Sequence, residues 1–333
     1  MQLVINSKGA YIRKRGECFE VTVDEKKSEI SASKVQSILI TTAVLISTDA
    51  ILLAYENNID IVFLDKFGNP FSRIWHSKFG STALIRRRQL ELSQSKEGVE
   101  IVKEWICEKI ESQISLLEKL ARTRENKKEM IETAVIAISE QKSKLSAVKA
   151  DSTDEVRNTI MAYEGAASRI YFETIAEIVP PQYKFDGRSR NPAQDYFNAF
   201  LNYGYGILYG RVERACVISG LDPYSGFLHT DNYGKKSFVF DIIELFRSYV
   251  DETVVKLFSK RMVKQEMCRE IKNGFTLEKE GKQLIVGEFN KEMEETIRYR
   301  GRNIKKCNVI EFECHRIANK FIGESRDADM VGI

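Results

Sequence analysis

The chain has 333 residues, of which 43% are hydrophobic and 30% are charged, so it is long enough for about two globular domains. Its net charge of +3 is too small to establish a polyanionic partner, and its six cysteines show no CxxC spacing, which argues against a zinc ribbon or a disulfide framework. No apolar run approaches the roughly 20 residues that cross a bilayer, and the start MQLVINSKG lacks the regions of a signal peptide. We therefore expect a cytoplasmic protein without a membrane span.

Residues 1–76 predict a small β domain. Short runs rich in Val, Ile, Phe and Tyr, separated by turn signals, are typical of strands. The predicted strands cover residues 3–5, 10–13, 18–23, 35–40, 59–64 and 71–75. One helix interrupts them in STDAILLAYENN, where Ser47 or Thr48 can cap the first turn. KFGNP at 66–70 predicts a tight turn, and 77–85 predicts a linker because the strand pattern stops there.

Residues 86–323 predict a larger, mainly α-helical domain, which makes the fold class α+β. The predicted helices cover residues 98–122, 126–148, 154–179, 193–219, 237–262 and 290–322. We expect the first two to form an antiparallel pair without a catalytic role. GFTLEKEGKQLIVG predicts a β-hairpin at 274–287 that turns at Lys279 to Gly281. Residues 324–333 show no pattern, and we expect a tail that is either disordered or foreign to the natural chain.

Two basic runs lie within this helical part. Arg86, Arg87 and Arg88 open it, and RYRGRNIKK occupies residues 298–306. Such runs usually form solvated faces, but they also suit contacts with a phosphate backbone. Both interpretations stay open at this point.

An acidic residue, Glu164, lies on the apolar stripe of the helix predicted at 154–179. It follows Ile160 by four residues and precedes Ala167 by three. A buried carboxylate costs several kcal/mol unless it pairs with a cation or binds a metal. The helix alone favours an ion pair with Arg169 or another arginine, and metal binding is the alternative.

A second acidic segment follows one of the chain's three histidines. His229 precedes Asp241 and Glu244, and Arg247 lies one helical turn further on. Carboxylates three residues apart share a helix face, so a loop histidine that folds back toward them can complete a metal site. One imidazole with carboxylates suits Mn²⁺, or Mg²⁺ with retained waters, better than Zn²⁺.

Four segments together resemble the signature of a known family. They are YEGAASRIYF (163–172), RSRNPAQDYFNAFLNYGYGILYG (188–210), GLDPYSGFLH (220–229) and FDIIELFR (240–247). Their sequence and spacing resemble the CRISPR-associated protein one family, the DNA integrase and endonuclease of CRISPR spacer acquisition. The resemblance covers essentially the whole chain, since the small β domain and the intervening helices also fit that family's two-part architecture.

The resemblance implies three catalytic residues that bind a metal ion, Mg²⁺ or Mn²⁺. The family's glutamate falls on Glu164, its histidine on His229 and its third, acidic ligand on Glu244. Because some members carry aspartate at the third position, the ligand can be Glu244, Asp241 or both.

The resemblance also places four residues around the site or along the DNA. They are Arg190, Asn198, Tyr209 and Arg247. Arg247, one turn beyond Glu244, would reach a phosphate oxygen. Tyr209 can orient DNA or stack on it, although a packed core tyrosine is the simpler interpretation.

The implied reaction is a transesterification. The 3′-hydroxyl of a short captured DNA attacks a phosphodiester at the edge of a CRISPR repeat, and water in place of that hydroxyl gives nuclease activity. The implied partners are double-stranded DNA, a second copy of the chain in a homodimer formed through the β domains, and CRISPR-associated protein two. Two alternatives are a non-catalytic DNA-binding scaffold and a plain metal-dependent nuclease.

Overall fold

A computed structural model of the chain describes residues 2–35, 37–57, 59–65, 70–74, 82–230 and 233–323. Strands dominate its N-terminal part and helices dominate the rest, so the predicted α+β class is confirmed. Among these residues, none belongs to a helix that is both long and apolar enough to cross a bilayer. Several predicted features lie outside the described residues: the turn at 66–69, the strand end and linker at 75–81, and the tail at 324–333.

The strands of the N-terminal part form two four-stranded sheets. They are β1 (Gln2–Ile5), β2 (Tyr11–Arg15), β3 (Cys18–Val23), β4 (Lys26–Ser31), β5 (Ser37–Ile40), β6 (Leu45–Ile46), β7 (Asp60–Leu64) and β8 (Pro70–Ile74). One sheet has the order β4-β3-β2-β6, and the other has the order β1-β5-β7-β8. In the second sheet β1, β5 and β7 run parallel, and β8 is antiparallel to β7.

One helix and one strand of this part show which elements the local sequence pattern predicts and which it misses. Helix α1 (Thr48–Glu56) begins where predicted, because the Ser47 side chain accepts a hydrogen bond from the Ala50 backbone amide at 3.2 Å. The sequence pattern misses β4, whose residues KKSEIS are mostly exposed because, among the described strands, it is an edge strand paired with β3 alone. Apolar side chains from both sheets and α1 share one core, which includes Ile12, Phe19, Ile38, Leu53 and Ile61.

The rest of the described chain is mainly helical. Its helices are α2 (Thr82–Ser93), α3 (Lys96–Ala121), α4 (Lys128–Ser146), α5 (Thr153–Ile178), α6 (Tyr196–Ile218), α7 (Ser237–Ile243), α8 (Arg247–Ser259), α9 (Lys279–Met293) and α10 (Lys306–Phe321). Its short strands are β9 (Cys268–Ile271), β10 (Gly274–Leu277), β11 (Thr296–Tyr299) and β12 (Arg302–Lys305). Helices α3, α4 and α5 pack together, and α6 contacts α7, α8, α9 and α10. Residues 82–85 of the predicted linker belong to α2.

The β-hairpin predicted at 274–287 is wrong in position. Strands β9 and β10 form a hairpin that turns earlier, at Asn273, whose φ angle is 68°. Residues 279–287 instead begin α9, where the buried side chains of Ile285 and Phe289 recur at helical spacing. The apolar residues of this segment fit both the alternation of a strand and the period of a helix, and the prediction chose the strand.

The last predicted helix, 290–322, is also partly wrong. Helix α9 ends at Met293, and β11 and β12 form a second antiparallel hairpin before α10 starts at Lys306. The turn of this hairpin contains Arg300 and Gly301, whose φ angles are 45° and 83°. Most of the second basic run therefore lies on a hairpin.

The helix predicted at 237–262 is broken near its middle. Helix α7 ends at Ile243, Glu244 to Phe246 form a turn of 3-10 helix, and α8 starts at Arg247. A 3-10 turn rotates the chain by a different angle per residue than an α-helix does. The side chains on either side of the break therefore face directions that a continuous helix would not give them.

Gly204 allows α6 to approach α8 closely. A Cβ atom on Gly204 would lie 2.5 Å from Val250 Cγ1, whereas one on Gly210 of the same helix would meet no atom within 4 Å. We expect Gly204→Ala to lower the free energy of unfolding by about 1–3 kcal/mol through overpacking. Gly210→Ala should raise it by about 0.5–1 kcal/mol, because alanine favours the helix. Urea denaturation measures both values, and equal effects of the two substitutions would contradict this account.

Candidate functional site

A cavity of about 440 Å³ brings two of the predicted site residues together. Residues of α3, α5, α8 and the 3-10 turn before α8 line it, and so does the loop at 186–190. Glu164 and Glu244 both line this space, which we call the carboxylate cavity. The structure thus joins a residue near the middle of α5 to one about 80 positions later in the chain.

Lys109 of α3 lies between these two carboxylates. Its Nζ atom is 2.6 Å from Glu244 Oε2 and makes a short ion pair with Glu164 Oε1. The side chains of Lys109 and Glu244 are only 8% and 7% exposed, and that of Glu164 is 23% exposed. Glu164 therefore has the cationic partner that its position predicts, but the partner is a lysine and not Arg169 or another arginine.

Glu244 has a second cationic partner, Arg247. The Nε and Nη2 atoms of Arg247 lie 2.9 Å and 2.8 Å from Glu244 Oε1. Burial alone would raise the pKa of Glu244, but the charges of Arg247 and Lys109 outweigh it and bring that pKa to about 2. Burial would lower the pKa of Lys109, and Glu244 and Glu164 raise it instead. The two carboxylates and the two cations balance each other's charge.

The face of α3 explains why Lys109 reaches this point. Lys109 and Gln113 are four residues apart, so both side chains face α5. Gln113 Nε2 donates to Ser168 Oγ at 3.4 Å, and Ser168 Oγ donates to Glu164 Oε1 at 3.0 Å. In the described part of the chain, Gln113 Oε1 is buried without a hydrogen-bond partner. The sequence patterns alone did not single out Lys109 or Gln113, and their polar side chains within the apolar face of α3 were the signal for these contacts. The absence of a catalytic role for α3 stays a prediction.

Asp241 holds the loop that carries His229. Its carboxylate accepts hydrogen bonds at 2.6, 3.2 and 3.0 Å from the backbone amides of Phe227, Leu228 and His229. It also lies 2.7 Å from His229 Nδ1, which is assigned as the protonated ring nitrogen because a carboxylate accepts. His229 Nε2 then keeps a free lone pair, as in metal-binding histidines. With its oxygens used in this way, Asp241 positions His229, and this favours Glu244 as the third ligand.

The structure does not gather all three predicted metal ligands at one point. Glu164 and Glu244 meet at Lys109, whereas His229 meets Asp241. Within the residues that the structure describes, no group of three or more His, Cys, Asp or Glu side chains is close enough to hold one metal ion. The Lys109 ammonium occupies the position between the two glutamates.

A second cavity, of about 450 Å³, shares its wall with the carboxylate cavity. The residues that line both are Arg188, Arg190, Tyr205 and Arg247. The second cavity, which we call the arginine cavity, is also lined by Tyr209, Lys235, Lys236 and Phe240. Positive groups with aromatic faces between them suit the backbone and bases of a nucleic acid.

Aromatic rings hold the cations of the arginine cavity in place. Arg247 Cζ lies 4.7 Å from the centroid of the Tyr205 ring. The rings of Tyr209 and Phe240 are 5.2 Å apart, and burial raises the pKa of Tyr209. Arg190, Tyr209 and Arg247 therefore lie beside the candidate site, and their contact with DNA stays a prediction.

Asn198 makes all of its observed contacts within the protein, among the residues that the structure describes. The residue is 0% exposed, and its Oδ1 atom accepts hydrogen bonds from Arg188 Nη1 at 2.9 Å and from the Ser189 amide at 3.0 Å. Its Nδ2 atom donates to Gly187 O at 3.0 Å and to Asp195 Oδ2 at 2.7 Å. Asn198 therefore fixes the loop that presents Arg188 to both cavities. Its predicted place around the site or along the DNA stays a prediction.

Both basic runs contain ion-paired and exposed residues. In the first, Arg88 pairs with Glu91, and Arg87 is exposed on α2. In the second, Arg300, Lys305 and Lys306 form ion pairs with glutamates, and Arg298 is exposed. Paired charges explain part of each run without a nucleic acid, and contact with a phosphate backbone stays a prediction for both.

Asp251 of α8 anchors two tyrosines at the carboxylate cavity. Tyr171 Oη donates to Asp251 Oδ2 at 3.0 Å, and Tyr205 Oη donates to Asp251 Oδ1 in a short hydrogen bond. Burial raises the pKa of Asp251 to about 6, although both hydrogen bonds oppose the shift. The folded protein therefore keeps the proton of Asp251 up to a higher pH than the unfolded chain does.

We expect the raised pKa of Asp251 to make the protein less stable as the pH rises from about 5 to about 7.5. The unfolded chain releases this proton near the ordinary Asp pKa of about 3.9, whereas the folded state keeps it to about pH 6, so folding loses about 1 kcal/mol over this interval. Asp251→Asn does not titrate and should lack this loss. Urea denaturation of both proteins at the two pH values measures it, and identical pH dependence would contradict the expectation.

Residues 3–291 match the protein family described as CRISPR associated protein Cas1. The chain is 32% identical over 340 residues to CRISPR-associated endonuclease Cas1 1 of Archaeoglobus fulgidus, and the match covers 98% of each protein. It is 29% identical over 315 residues to CRISPR-associated endonuclease Cas1 2 of Saccharolobus solfataricus, a match that covers 95% of this chain and 92% of that protein.

Solved structures share the fold. A CAS1 protein from Thermotoga maritima gives a TM-score of 0.82 at 22% identity and 98% coverage of both chains. A casposase bound to an integration product gives 0.82 at 23% identity, with 98% of this chain and 91% of that chain covered. A Cas6-RT-Cas1–Cas2 complex gives 0.78 at 18% identity, with 97% and 35% covered. Because the family model matches most of its length and it is 32% identical to the Archaeoglobus protein, the chain belongs to the CRISPR-associated Cas1 protein family.

Proposed function

We propose that this protein is a metal-dependent DNA endonuclease and integrase of CRISPR adaptation. It joins the 3′-hydroxyl ends of short captured DNA to the CRISPR repeat by transesterification, and hydrolyses DNA when water replaces the hydroxyl. The observation that carries the proposal is the convergence of Glu164 and Glu244 on one cation, Lys109, beside a cavity walled by arginines. Two relatives in the same family are named CRISPR-associated endonucleases, which supports it.

The chemistry of the predicted ligands, rather than their positions in this structure, suits a divalent metal ion. Carboxylate oxygens and an imidazole nitrogen are donors that Mg²⁺ and Mn²⁺ accept. The two glutamates already surround a positive charge, and His229 Nε2 keeps a free lone pair. We propose that Glu164, His229 and Glu244 hold Mg²⁺ or Mn²⁺, with Asp241 positioning His229. When bound, the ion neutralises charge on the scissile phosphate and lowers the pKa of the attacking hydroxyl or water.

The chain's own residues bind and orient the DNA in this proposal. Arg188, Arg190 and Arg247 present guanidinium groups to phosphate oxygens. Tyr209 and Phe240 present aromatic faces to a base. Phosphoryl transfer depends mainly on positioning and charge stabilisation, so the site works without a covalent protein nucleophile.

The proposed partners are double-stranded DNA, a second copy of the chain, and the CRISPR-associated protein Cas2. The homodimer through the β domains is proposed from the family resemblance, and it would have exposed apolar side chains such as Leu45, Leu52 and Phe71 of the N-terminal part available for contact. Light scattering of the purified protein measures its mass. The complex with Cas2 is proposed from the Cas6-RT-Cas1–Cas2 assembly in which this fold occurs.

A strand-joining assay tests the proposed function. Duplex DNA with free 3′ ends is incubated with a supercoiled plasmid that carries a CRISPR repeat, with Mn²⁺ or with a chelator, and with or without Cas2. An integrase joins the two DNAs only in the presence of the metal. A plain nuclease cuts the plasmid without joining, and a DNA-binding scaffold does neither. Either of the last two results with Cas2 and Mn²⁺ present would overturn the integrase proposal.

A further inference from the structure

Lys109 is a buried cation placed inside a pair of carboxylates that we propose to bind a metal. Its neighbours on α3, Ile106 and Ile110, are 2% and 0% exposed, so the charged end reaches the cavity from an apolar helix face. A lysine in such surroundings keeps its charge only because it has ionic partners. Glu164 and Glu244 are those partners.

Lys109 and Arg247 contact different carboxylate oxygens of Glu244. Arg247 contacts Glu244 through Oε1 at 2.8 Å and stacks over the Tyr205 ring. Lys109 takes the other oxygen, Oε2, and also pairs with Glu164. Among the ion pairs of the described residues, Lys109 is therefore the cation that joins the two glutamates.

We propose that Lys109 is an internal counter-cation of the metal site, which a divalent ion displaces from Glu164 and Glu244 when it binds. This inference rests on the proposed metal site. An ammonium and a divalent cation repel each other strongly at contact distance in a partly buried site, so they compete for the same oxygens. Gln113 Oε1, one helical turn along α3 and without a hydrogen-bond partner among the described residues, offers the displaced ammonium an acceptor.

Lys109 can act as a counter-cation or have a purely structural role, and its replacement would change the affinity for the metal differently in the two cases. If Lys109 competes with the metal, removal of its charge should tighten metal binding and at the same time destabilise the protein without metal. If Lys109 only holds the glutamates in place, removal should weaken metal binding or leave it unchanged. The direction of the change in metal affinity therefore separates the two roles.

Lys109→Met tests this, because methionine fills similar space without the charge. Calorimetric titration should give a dissociation constant for Mn²⁺ at least about tenfold lower than that of the wild type, since a unit charge no longer repels the ion. The melting temperature of the metal-free variant should fall by about 5 °C, because the buried carboxylates lose a counter-ion. An unchanged or higher dissociation constant in the folded variant would overturn the inference.

Lys103→Met is the matched control. Lys103 is also a lysine of α3 that is 8% exposed, and it pairs with Glu100 at 2.9 Å, away from the cavity. Its replacement should lower the melting temperature and leave the affinity for Mn²⁺ unchanged. If neither the wild type nor Lys109→Met binds Mn²⁺, the metal site itself is refuted and the inference with it. Binding by both, with the variant no tighter, refutes the inference alone.

Reductive methylation of the wild-type protein gives an answer that does not depend on how the variant folds. Mass spectrometry reports methylation of Lys109 and Lys103 with and without Mn²⁺. We expect methylation of Lys109 to rise several-fold with Mn²⁺, because the amine leaves its two ion pairs, while methylation of Lys103 stays constant. No change at Lys109 at saturating Mn²⁺ would overturn the displacement.

Discussion

Glu164→Gln should slow strand joining by at least about 100-fold and leave the affinity for DNA nearly unchanged. The glutamine keeps the size of the side chain but loses the negative charge that faces Lys109 and that would bind a divalent ion. The side chain accepts a hydrogen bond from Ser168 at 3.0 Å, which an amide oxygen can also accept, so the fold should persist. Single-turnover joining of a labelled DNA end measures the rate, and fluorescence anisotropy measures the binding of DNA.

Glu177→Gln is the control for this substitution. Glu177 is exposed on the last turns of the same helix, α5, and pairs with Lys184 at 2.6 Å. An exposed pair of this kind contributes little, and Glu177 does not line the carboxylate cavity, so joining should stay within about twofold of the wild type. Equal rates for Glu164→Gln and Glu177→Gln would show that Glu164 is not part of the site.

Asp241→Asn should lower the free energy of unfolding by about 2–4 kcal/mol, and strand joining should fall with it. The Asp241 carboxylate accepts hydrogen bonds from consecutive backbone amides at 227–229 and faces His229 Nδ1. Asparagine has one acceptor oxygen, and its NH₂ group would face donors. The loop would lose its anchor, and His229 would lose the partner that sets its tautomer. Urea denaturation and the joining assay measure the two effects.

Asp222→Asn provides the comparison at the other end of the same loop. The Asp222 side chain accepts a hydrogen bond from the Tyr224 amide at 2.9 Å in an exposed turn. Its replacement should cost no more than about 1 kcal/mol, because asparagine can accept the same bond. If Asp222→Asn and Asp241→Asn destabilised the protein equally, the anchoring role of Asp241 would be refuted.

The elements that the sequence predicts correctly are those whose signals are local. Helix α1 begins at its predicted cap, and the long helix α5 ends at the double proline, Pro180 and Pro181. The elements that it misplaces depend on partners. Strand β4 has little apolar pattern because only β3 beside it makes it a strand, and α9 carries an apolar pattern that also fits a hairpin. Local periodicity cannot choose between such alternatives, because packing contributes more than propensity does.

The candidate site also has features that the sequence predicts and features that depend on tertiary contacts. The sequence pointed to Glu164, His229 and the acidic pair Asp241 and Glu244, because charged groups on apolar faces need partners. It could not decide between the members of that pair. The structure assigns Asp241 to the backbone of the histidine loop and turns Glu244 into the carboxylate cavity through the 3-10 break.

The sequence by itself determined the α+β class, and it pointed to residues whose chemistry suits a phosphoryl-transfer site. Only the tertiary structure decided which of them meet. Lys109 lies 55 residues before Glu164, yet its ammonium joins that residue to Glu244. Asn198, expected along the DNA, is enclosed by the loop it supports. Pairing of buried charges depends on the packing of α3 against α5 and α8, and these long-range contacts leave no periodic signal in the chain.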